Sequence, residues 1–195
     1  MSGFPERITI LRDGTRVLVR EARPGDAPLV RLGFAQLSDR SRQFRFLRTM
    51  PRLTDQDLSF LADADGNEVI GALDPAQDPP QPVGLARYMR LPDRPGAAEV
   101  AITVIDSHQG RGLGTLLFGC LAWQARRTGL SCFVALVHLR NLAMRNLLKD
   151  LGASVDKDHG GELEYLLPLP DHPADYPRTP AGDAFRAAHR LADGV

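Results

Sequence analysis

The sequence predicts one α/β domain of the α+β type, with a mixed and largely antiparallel sheet of about seven strands. Several strand-like segments precede residue 106 and are joined mainly by short connections, which indicates an antiparallel meander. Residues 98–153 then read strand, glycine-rich turn, helix, strand, helix. Such a strand–helix–strand crossover requires a parallel pair of strands. A chain of 195 residues, 43% of them hydrophobic, is long enough for one such core.

The first half of the chain carries local signals for strands and short helices. Strands are predicted from alternating or β-branched stretches, at 16–21, 68–73, 83–91 and 99–105, and residues 7–11 are either a lead-in or a short strand. Asp26 is expected to cap a helix that ends near Leu37, and a second helical segment is predicted at 41–47. The capping pattern that begins at Thr54 predicts a short helix ending at Ala62, followed by a polar turn.

The second half alternates long helices with strands. An amphipathic helix is predicted at 112–128, closed by Gly129, and a second helix at 141–151, closed by Gly152. Strands are predicted at 131–138, 153–156 and 162–167. These elements place the domain at residues 1–168. Residues 169–195 are predicted as a Pro-rich tail with a short helix at 181–192, which can dock on the core, form an oligomer contact or stay loose.

The composition argues against several classes of function. The 24 basic and 24 acidic residues give zero formal net charge, so we expect no attraction to nucleic acid or to an anionic membrane. No stretch is apolar enough for a membrane span, and the N-terminus lacks a signal-peptide pattern, so we expect a cytoplasmic protein. Cys120 and Cys132 have neither metal nor redox spacing and are predicted to be small buried residues. No metal site is predicted.

The glycine-rich turn at 109–114 is the strongest candidate for a binding site. A turn of this kind at a helix N-terminus presents free backbone N–H groups, which suits a phosphate or pyrophosphate. Its glycines, Gly110, Gly112 and Gly114, do not match the G-x-G-x-x-G dinucleotide pattern, and no Lys-Ser/Thr pair follows for a P-loop. On the glycines alone, a phosphate site and a structural cap are equally open.

A wider pattern is more specific. Gln109-x-x-Gly112-x-Gly114 follows a Val/Ile-rich strand, and after a second strand Asn141 leads a helix that ends in Leu151-Gly152. Over nearly its whole length the chain thereby resembles the GNAT superfamily of acyl-CoA-dependent N-acetyltransferases. The segments AEVAITVIDSHQGRGLG and NLAMRNLLKDLGA are similar to the acetyltransferase domain of bacterial protein lysine acetyltransferases.

The resemblance implies a fold and a co-substrate site. Residues 1–168 would form the GNAT domain, with helices on both faces of the sheet and a parallel central pair of strands that splays into a V-shaped gap. Acetyl-CoA would bind there, its pantetheine arm against the strand and its pyrophosphate on backbone N–H groups. The implied residues are Ile102, Thr103 and Val104 for the arm and Gln109, Gly110, Arg111, Gly112, Leu113, Gly114 and Thr115 for the pyrophosphate. Asn141 would hydrogen-bond the pantetheine while capping its helix, and the Arg111 side chain either adds charge or points to solvent.

The resemblance also implies a general base and leaves the acid open. Glu99 stands where related lysine acetyltransferases carry their base, and partial desolvation there would raise the pKa of its carboxyl; a surface glutamate is the alternative. Leu148 takes the place of a tyrosine that protonates the leaving thiolate in many GNAT enzymes, although a thiolate does not require an acid. Tyr88 and Tyr165 are either substitutes or packing residues. His138 is a second candidate base or a structural histidine.

The acceptor is predicted to be a primary amine, with a protein lysine as the first choice. A small-molecule amine and a non-catalytic acyl-CoA sensor remain alternatives, and the protein is expected to be a monomer or a homodimer. The aromatic residues Phe44 and Phe46 either join the core or wall the substrate site. Four acidic residues could wall the acceptor side or simply serve helix starts and turns: Asp55, Asp57, Asp63 and Asp65.

Overall fold

The computed structural model describes residues 3–61 and 67–194. It contains an eight-stranded sheet and five α-helices within those ranges. The strands are β1 (Arg7–Ile10), β2 (Arg16–Glu21), β3 (Glu68–Asp74), β4 (Gln81–Arg90), β5 (Ala97–Val104), β6 (Cys132–His138), β7 (Ser154–Asp158) and β8 (Glu162–Pro168). The helices are α1 (Ala27–Ala35), α2 (Asp39–Phe46), α3 (Leu113–Arg127), α4 (Leu142–Asp150) and α5 (Pro180–Asp193).

The sheet has the mixed topology that the sequence predicts. Its strand order is β1-β2-β3-β4-β5-β6-β8-β7, and every neighbouring pair is antiparallel except β5 and β6. The predicted count of about seven strands was slightly low, because the segment at 7–11, expected as either a lead-in or a short strand, forms an edge strand against β2.

The parallel pair splays, as expected. β5 and β6 pair only through the register Ala97↔Cys132, Ala98↔Phe133 and Glu99↔Val134. Beyond Glu99, β5 keeps its pairing with β4 as far as Val104, while β6 continues to pair with β8. The two strands therefore diverge after Glu99 and open a gap in the middle of the sheet.

Helices cover both faces of the sheet. The larger core lies under α3, α4 and α5 and includes the fully buried Phe118, Phe133 and Leu148. A separate, smaller core on the other face is built by α1 and the segments after α2, with Phe34, Leu37, Met50, Leu53 and Leu58. The neighbouring strands β4 and β5 contribute side chains to both layers. Their register places the side chain of Tyr88 on one face of the sheet and the side chain of Thr103 on the other.

The C-terminal tail docks on the core. The predicted helix is α5, whose Thr179 side chain caps its N-terminus by accepting a hydrogen bond from Gly182 N–H. The ring of Phe185 is fully buried and packs against Phe118 and Tyr176. At Gly119 of α3, an added Cβ would lie 2.7 Å from the Ala188 Cβ, so a glycine is needed where the two helices approach.

Several local expectations need correction. Asp26 occupies the N-cap position of α1, but its side chain makes no hydrogen bond to that helix. Its carboxylate accepts hydrogen bonds from Arg20 at 2.7 and 2.8 Å and from Arg23 N–H at 2.7 Å, the last of which caps the preceding 3₁₀ turn. The capping pattern at Thr54 is real, yet it starts a 3₁₀ helix (Gln56–Leu61) instead of an α-helix. The polar turn predicted next, with Asp63 and Asp65, falls outside the described residues.

The two cysteines differ in burial. Cys120 is fully buried in α3, and burial raises the pKa of its thiol to about 12. Cys132 is only half-buried at the start of β6, so the prediction of two buried cysteines holds for one of them. In the described part of the chain, no helix has the length and apolar character that crossing a membrane requires.

Candidate active site

Two cavities meet at the point where β5 and β6 diverge. One, of about 490 Å³, fills the gap between the strands, and the other, of about 470 Å³, lies on the face covered by α1 and α2. Five residues line both cavities: Leu37, Arg45, Leu47, Glu99 and Thr103. We refer to the first as the cleft and to the second as the acceptor-side cavity.

The cleft brings together most of the residues that the sequence singled out. Its walls include Glu99, Ile102, Thr103, Val104, Gln109, Gly110, Gly112, Gly114, Thr115 and Asn141. Two predicted residues do not line it. The side chain of Leu113 is 1% exposed and belongs to the main core, and the side chain of Arg111 points elsewhere. These two residues can contribute only main-chain groups to the cleft.

The glycine-rich turn has the geometry of an anion cradle. Gly110 and Gly112 have φ values of +73° and +88°, and residues that carry a Cβ rarely adopt this backbone conformation. Gly112 is the N-cap of α3 and, among the described residues, no side chain caps this helix. The first N–H groups of α3 are therefore left for a ligand, at the positive end of the helix dipole. No described protein atom lies within 4 Å of a Cβ placed at Gly110 or Gly112, so a phosphate could approach the main chain closely.

Gln109 fixes the turn to its neighbours. Its side-chain amide donates to the Val104 carbonyl at 3.1 Å, the Ser41 hydroxyl at 3.1 Å and the Asp106 carboxylate at 3.2 Å. The Asp106 carboxylate also accepts a hydrogen bond from Ser38 N–H. The end of β5, the start of α2 and the turn are thus held as one unit, which is a positioning role for Gln109.

Arg111 is held by the β1–β2 turn. Its guanidinium lies 3.1 Å from the Asp13 carboxylate and donates to the Thr15 hydroxyl at 3.1 Å. Neither of the two expected orientations, toward a phosphate or into solvent, describes this arrangement. A cation that does line the cleft is Arg12, on the same turn. It was not predicted as a site residue, because a single arginine before an Asp-Gly turn carries no distinctive pattern.

The main chain of β5 offers hydrogen-bonding groups to the cleft. Ile105 N–H bonds to Val83 on the β4 side, and the direction of main-chain groups alternates along a strand. Ile102 and Val104 therefore direct their N–H and C=O groups toward the gap, where in the described sheet β6 no longer pairs with them and the Val104 carbonyl already accepts the Gln109 amide. Thr103 faces β4 with its main chain, and its hydroxyl accepts a hydrogen bond from Arg45 Nε at 3.0 Å.

Asn141 caps α4 at the edge of the cleft. Its side-chain oxygen accepts a hydrogen bond from Met144 N–H at 3.2 Å, which leaves the amide NH₂ group for another partner. Phe44 lines the cleft and Phe46 lines the acceptor-side cavity, where it packs against Phe34. Phe46 therefore also joins the smaller core, as one of the two interpretations expected, while Phe44 lies where a substrate wall would be.

Glu99 lies at the last paired position of the parallel strands and lines both cavities. Its side chain is exposed, so the partial desolvation expected for it is not present in this structure. In the antiparallel register of β4 and β5, Glu99 pairs with Met89 and Ala101 pairs with Arg87. Glu99 and Arg87 are therefore diagonal neighbours on the same face of the sheet.

The tyrosines considered as general acids are packing residues. Tyr88 is 1% exposed, its hydroxyl lies 2.9 Å from the Thr128 hydroxyl, and burial raises its pKa to about 12. The Tyr165 hydroxyl accepts a hydrogen bond from Arg145 at 3.3 Å, and neither tyrosine lines the cleft. Leu148 is completely buried in the main core.

His138 is tied into the loop before α4. Its ring nitrogen Nδ1 accepts a hydrogen bond from Arg140 N–H at 3.1 Å, and the ring packs on Phe44. Since it is absent from the walls of both cavities, its structural interpretation is favoured. No group of three metal-ligating side chains lies together among residues 3–61 and 67–194.

The acceptor-side cavity is rich in arginine. Arg20, Arg45, Arg48 and Arg87 line it together with Asp26, Asp57 and Glu99. Of the acidic residues expected on this side, Asp57 is present, Asp55 instead pairs with Arg31, and the other two lie outside the described residues. Arg87 was not predicted from the sequence, although strand alternation places it on the same face as Leu85 and Met89 and could have indicated it.

Comparisons with known proteins agree with this geometry. The sequence profile of the acetyltransferase (GNAT) domain family matches residues 16–154. An acetyltransferase of Pseudomonas aeruginosa is 33% identical over 163 residues, which cover 82% of this chain and 87% of the relative. The acetyltransferase Pat of Mycolicibacterium smegmatis is 32% identical over 149 residues, 73% of this chain, but the match spans only 43% of that longer relative.

Solved structures show the same fold. The GNAT domain of S. lividans PAT superposes with a TM-score of 0.74 at 28% identity, over 84% of this chain and 97% of that domain. A cAMP-binding acyltransferase from Mycobacterium smegmatis superposes with a TM-score of 0.61 at 26% identity, over 97% of this chain and 56% of the larger protein. The cleft, the glycine cradle and the splayed strands are thus found where the family profile matches, and the chain belongs to the GNAT family of acetyl-CoA-dependent N-acetyltransferases.

Proposed function

We propose that this enzyme transfers the acetyl group of acetyl-CoA to the side-chain amine of a protein lysine, with Glu99 as the general base. One observation carries the proposal. Glu99 is the ionisable carboxylate that lines both the cleft and the acceptor-side cavity. A base must reach the amine on one side and stand beside the thioester on the other, and Glu99 occupies the junction of the two spaces.

The residues of the cleft fit acetyl-CoA. The main-chain N–H groups at 109–115 would hold the pyrophosphate, with Arg111 and Leu113 contributing through their backbone alone. The main chain of Ile102 and Val104 and the free amide of Asn141 would hold the pantetheine arm. When bound, acetyl-CoA supplies an activated acyl group as a thioester.

The residues at the junction would then carry the transfer. Glu99 accepts a proton from the lysine ammonium, because an ammonium has no lone pair with which to attack. The neutral amine forms a C–N bond to the acyl carbon, the C–S bond breaks, and CoA leaves as a thiolate, which takes up the second proton of the amine nitrogen as the amide forms. Main-chain N–H groups of β5 that face the gap would stabilise the oxyanion. The burial of Leu148, Tyr88 and Tyr165 away from the cleft favours departure of the thiolate without a tyrosine acid.

The preference for a protein acceptor rests on the relatives. The domain of S. lividans PAT and the acetyltransferase Pat share the fold or the sequence of this chain at the levels given above. Small-molecule amines are the alternative acceptors. A chain that binds CoA but releases no thiol with any protein or amine would instead be an acyl-CoA-binding module.

The Glu99→Gln variant tests the base. Turnover with a lysine peptide should fall about 10²- to 10⁴-fold at neutral pH, the usual contribution of a general base. The loss should shrink as pH rises toward the amine pKa of about 10, because the lysine then loses its proton to solvent. CoA binding, measured by calorimetry, should stay within about twofold of the wild type, since the carboxylate is not part of the cradle.

Glu21→Gln is the matched control. Glu21 is also an exposed glutamate at the end of a strand, and it lines neither cavity, so its turnover and pH profile should equal those of the wild type. If Glu99→Gln retains full turnover at neutral pH, Glu99 is not the base.

A further inference from the structure

The acceptor-side cavity has an unbalanced charge. Two of its four arginines are neutralised within its own wall: Arg20 pairs with Asp26 at 2.7 Å, and Arg48 pairs with Asp57 at 3.4 Å. Among the lining residues that the structure describes, what remains is Arg45 and Arg87 against the carboxylate of Glu99. The part of the cavity next to the proposed base therefore carries an excess of positive charge.

Arg45 is fixed in place, and its terminal nitrogens have no hydrogen-bond acceptor among the residues that the structure describes. Its Nε donates to the Thr103 hydroxyl at 3.0 Å, and its guanidinium lies 4.9 Å from the centre of the Phe46 ring. No ion pair joins it to a residue in the described part of the chain. Burial and the like charge of Arg87 lower the pKa of the Arg45 guanidinium to about 10. The attraction of Glu99 opposes that shift.

In the described part of the chain, Arg87 is held by stacking on an aromatic ring. Its guanidinium lies 4.6 Å from the centre of the Phe60 ring, and among residues 3–61 and 67–194 it has neither an ion pair nor a hydrogen-bond acceptor for its side chain. Burial lowers its pKa as well, and Glu99 opposes that shift. A half-buried guanidinium carries five donors, and leaving them without acceptors costs free energy.

This arrangement is unfavourable for a simple amine. An acceptor amine arrives as a cation at neutral pH, and two guanidinium groups near Glu99 repel it. A carboxylate on the acceptor would reverse that penalty, because it would accept hydrogen bonds from both arginines while the ammonium pairs with Glu99. Planar guanidinium groups are well suited to this, since they bind carboxylates in a bidentate manner.

We propose that Arg45 and Arg87 bind a carboxylate of the acceptor, so that the preferred substrate is a lysine flanked by an acidic residue. The proposal rests on the proposed function, because it names the class of lysine that the same site takes. The same chemistry could be supplied by the α-carboxylate of a free amino acid, and the test separates the two sources.

The test begins with the unmodified enzyme. Short peptides with blocked termini would carry one lysine, flanked either by glutamate or by glutamine, and kcat/KM would be measured by release of the CoA thiol, with the acetylated lysine confirmed by mass spectrometry. The glutamate peptide should react about 10- to 100-fold faster, as expected for charge-assisted hydrogen bonds in a half-buried site. The ratio should fall as salt is added. A second pair, an α-amino acid and its amide, tests the other source of the carboxylate.

Variants then locate the effect. Arg87→Gln and Arg45→Gln should each bring the ratio of the two peptides toward one, and Arg87→Lys should retain part of it. Arg52→Gln removes an exposed arginine of the same region that lines neither cavity, so its ratio should equal that of the wild type. CoA affinity in each variant checks that the fold is intact.

Each outcome has a distinct meaning. Equal rates for the glutamate and glutamine peptides overturn the carboxylate proposal while leaving lysine acetylation standing. If peptides are inert but an α-amino acid reacts faster than its amide, the protein acceptor is wrong and the carboxylate subsite is supported. If only amines without a carboxylate react, or if no acceptor reacts while CoA binds, both the acceptor and the subsite are overturned.

Discussion

Replacing Gly112 with alanine should affect both stability and CoA binding, by separable amounts. Gly112 has φ +88°, and an alanine held in the left-handed region costs about 1–2 kcal/mol. Alanine also restricts the unfolded chain, which offsets about 0.4–1 kcal/mol of that cost. Because no described atom lies within 4 Å of the added Cβ, no clash is added, and the net loss of unfolding free energy should be about 1 kcal/mol.

The loss of binding has a different cause. The added methyl group would stand on the side of the turn where the main chain is open to a ligand, so the pyrophosphate could no longer approach the first N–H groups of α3. Weakening one charge-assisted contact should raise the CoA dissociation constant about tenfold, which corresponds to about 1.4 kcal/mol.

Gly129→Ala provides the matched control for Gly112→Ala. Gly129 follows α3 at its other end with φ +83° and likewise has no described atom within 4 Å of a Cβ. It lies outside the cleft, so its unfolding midpoint in denaturant should drop as much as that of Gly112→Ala while its CoA affinity, measured by calorimetry, stays unchanged. Equal CoA affinity in the two variants would refute the cradle assignment, and a large difference in stability would refute the strain estimate.

Two further predictions concern α5. Phe185→Ala should lower the unfolding free energy by about 3–5 kcal/mol, because the ring is fully buried with centroids 5.2 Å from Phe118 and 5.1 Å from Tyr176; a loss below about 1 kcal/mol in denaturant titration would mean that α5 is not docked. Burial lowers the pKa of His189 from 6.5 to about 4, so between these values only the unfolded chain takes up the proton, and stability should fall with falling pH by up to about 1.4 kcal/mol per unit. His189→Gln should remove that slope, the exposed His172→Gln should not, and an unchanged slope in His189→Gln would contradict this account.

The crossover and the glycine cradle could be predicted from sequence because their signals are local. A β-branched strand, a turn with glycines at fixed positions and an amphipathic helix follow one another in the chain, and handedness and parallel pairing then leave one arrangement. Gly110 and Gly112 are required by their own backbone angles, independently of any distant residue. The docking of α5 was not predictable in this way, because it depends on the match between Gly119 and Ala188, far apart in sequence.

The hydrogen-bond and ion-pair partners of side chains were harder to predict, because one charged side chain can reach several alternative partners. Asp26 was expected to cap α1, yet its carboxylate accepts two charge-assisted hydrogen bonds from Arg20 on β2 and one from Arg23 N–H in the turn before that helix. Arg111 likewise turns to Asp13 instead of the cleft. In both cases the observed ion-pair partner lies on a neighbouring segment whose position is set by the fold.

Glu99 shows why the register of the sheet matters for function. A glutamate at the start of a predicted strand is ordinarily a surface residue, and its exposure here agrees with that expectation. Its position is nevertheless unusual, because the pairing of β5 with β6 stops at this residue and both cavities open there. Arg87 reaches the same place only because the antiparallel register sets it opposite Ala101. A shift of β4 by one residue would turn Arg87 to the opposite face of the sheet, so the charge of the acceptor site is a property of strand pairing as much as of the residues themselves.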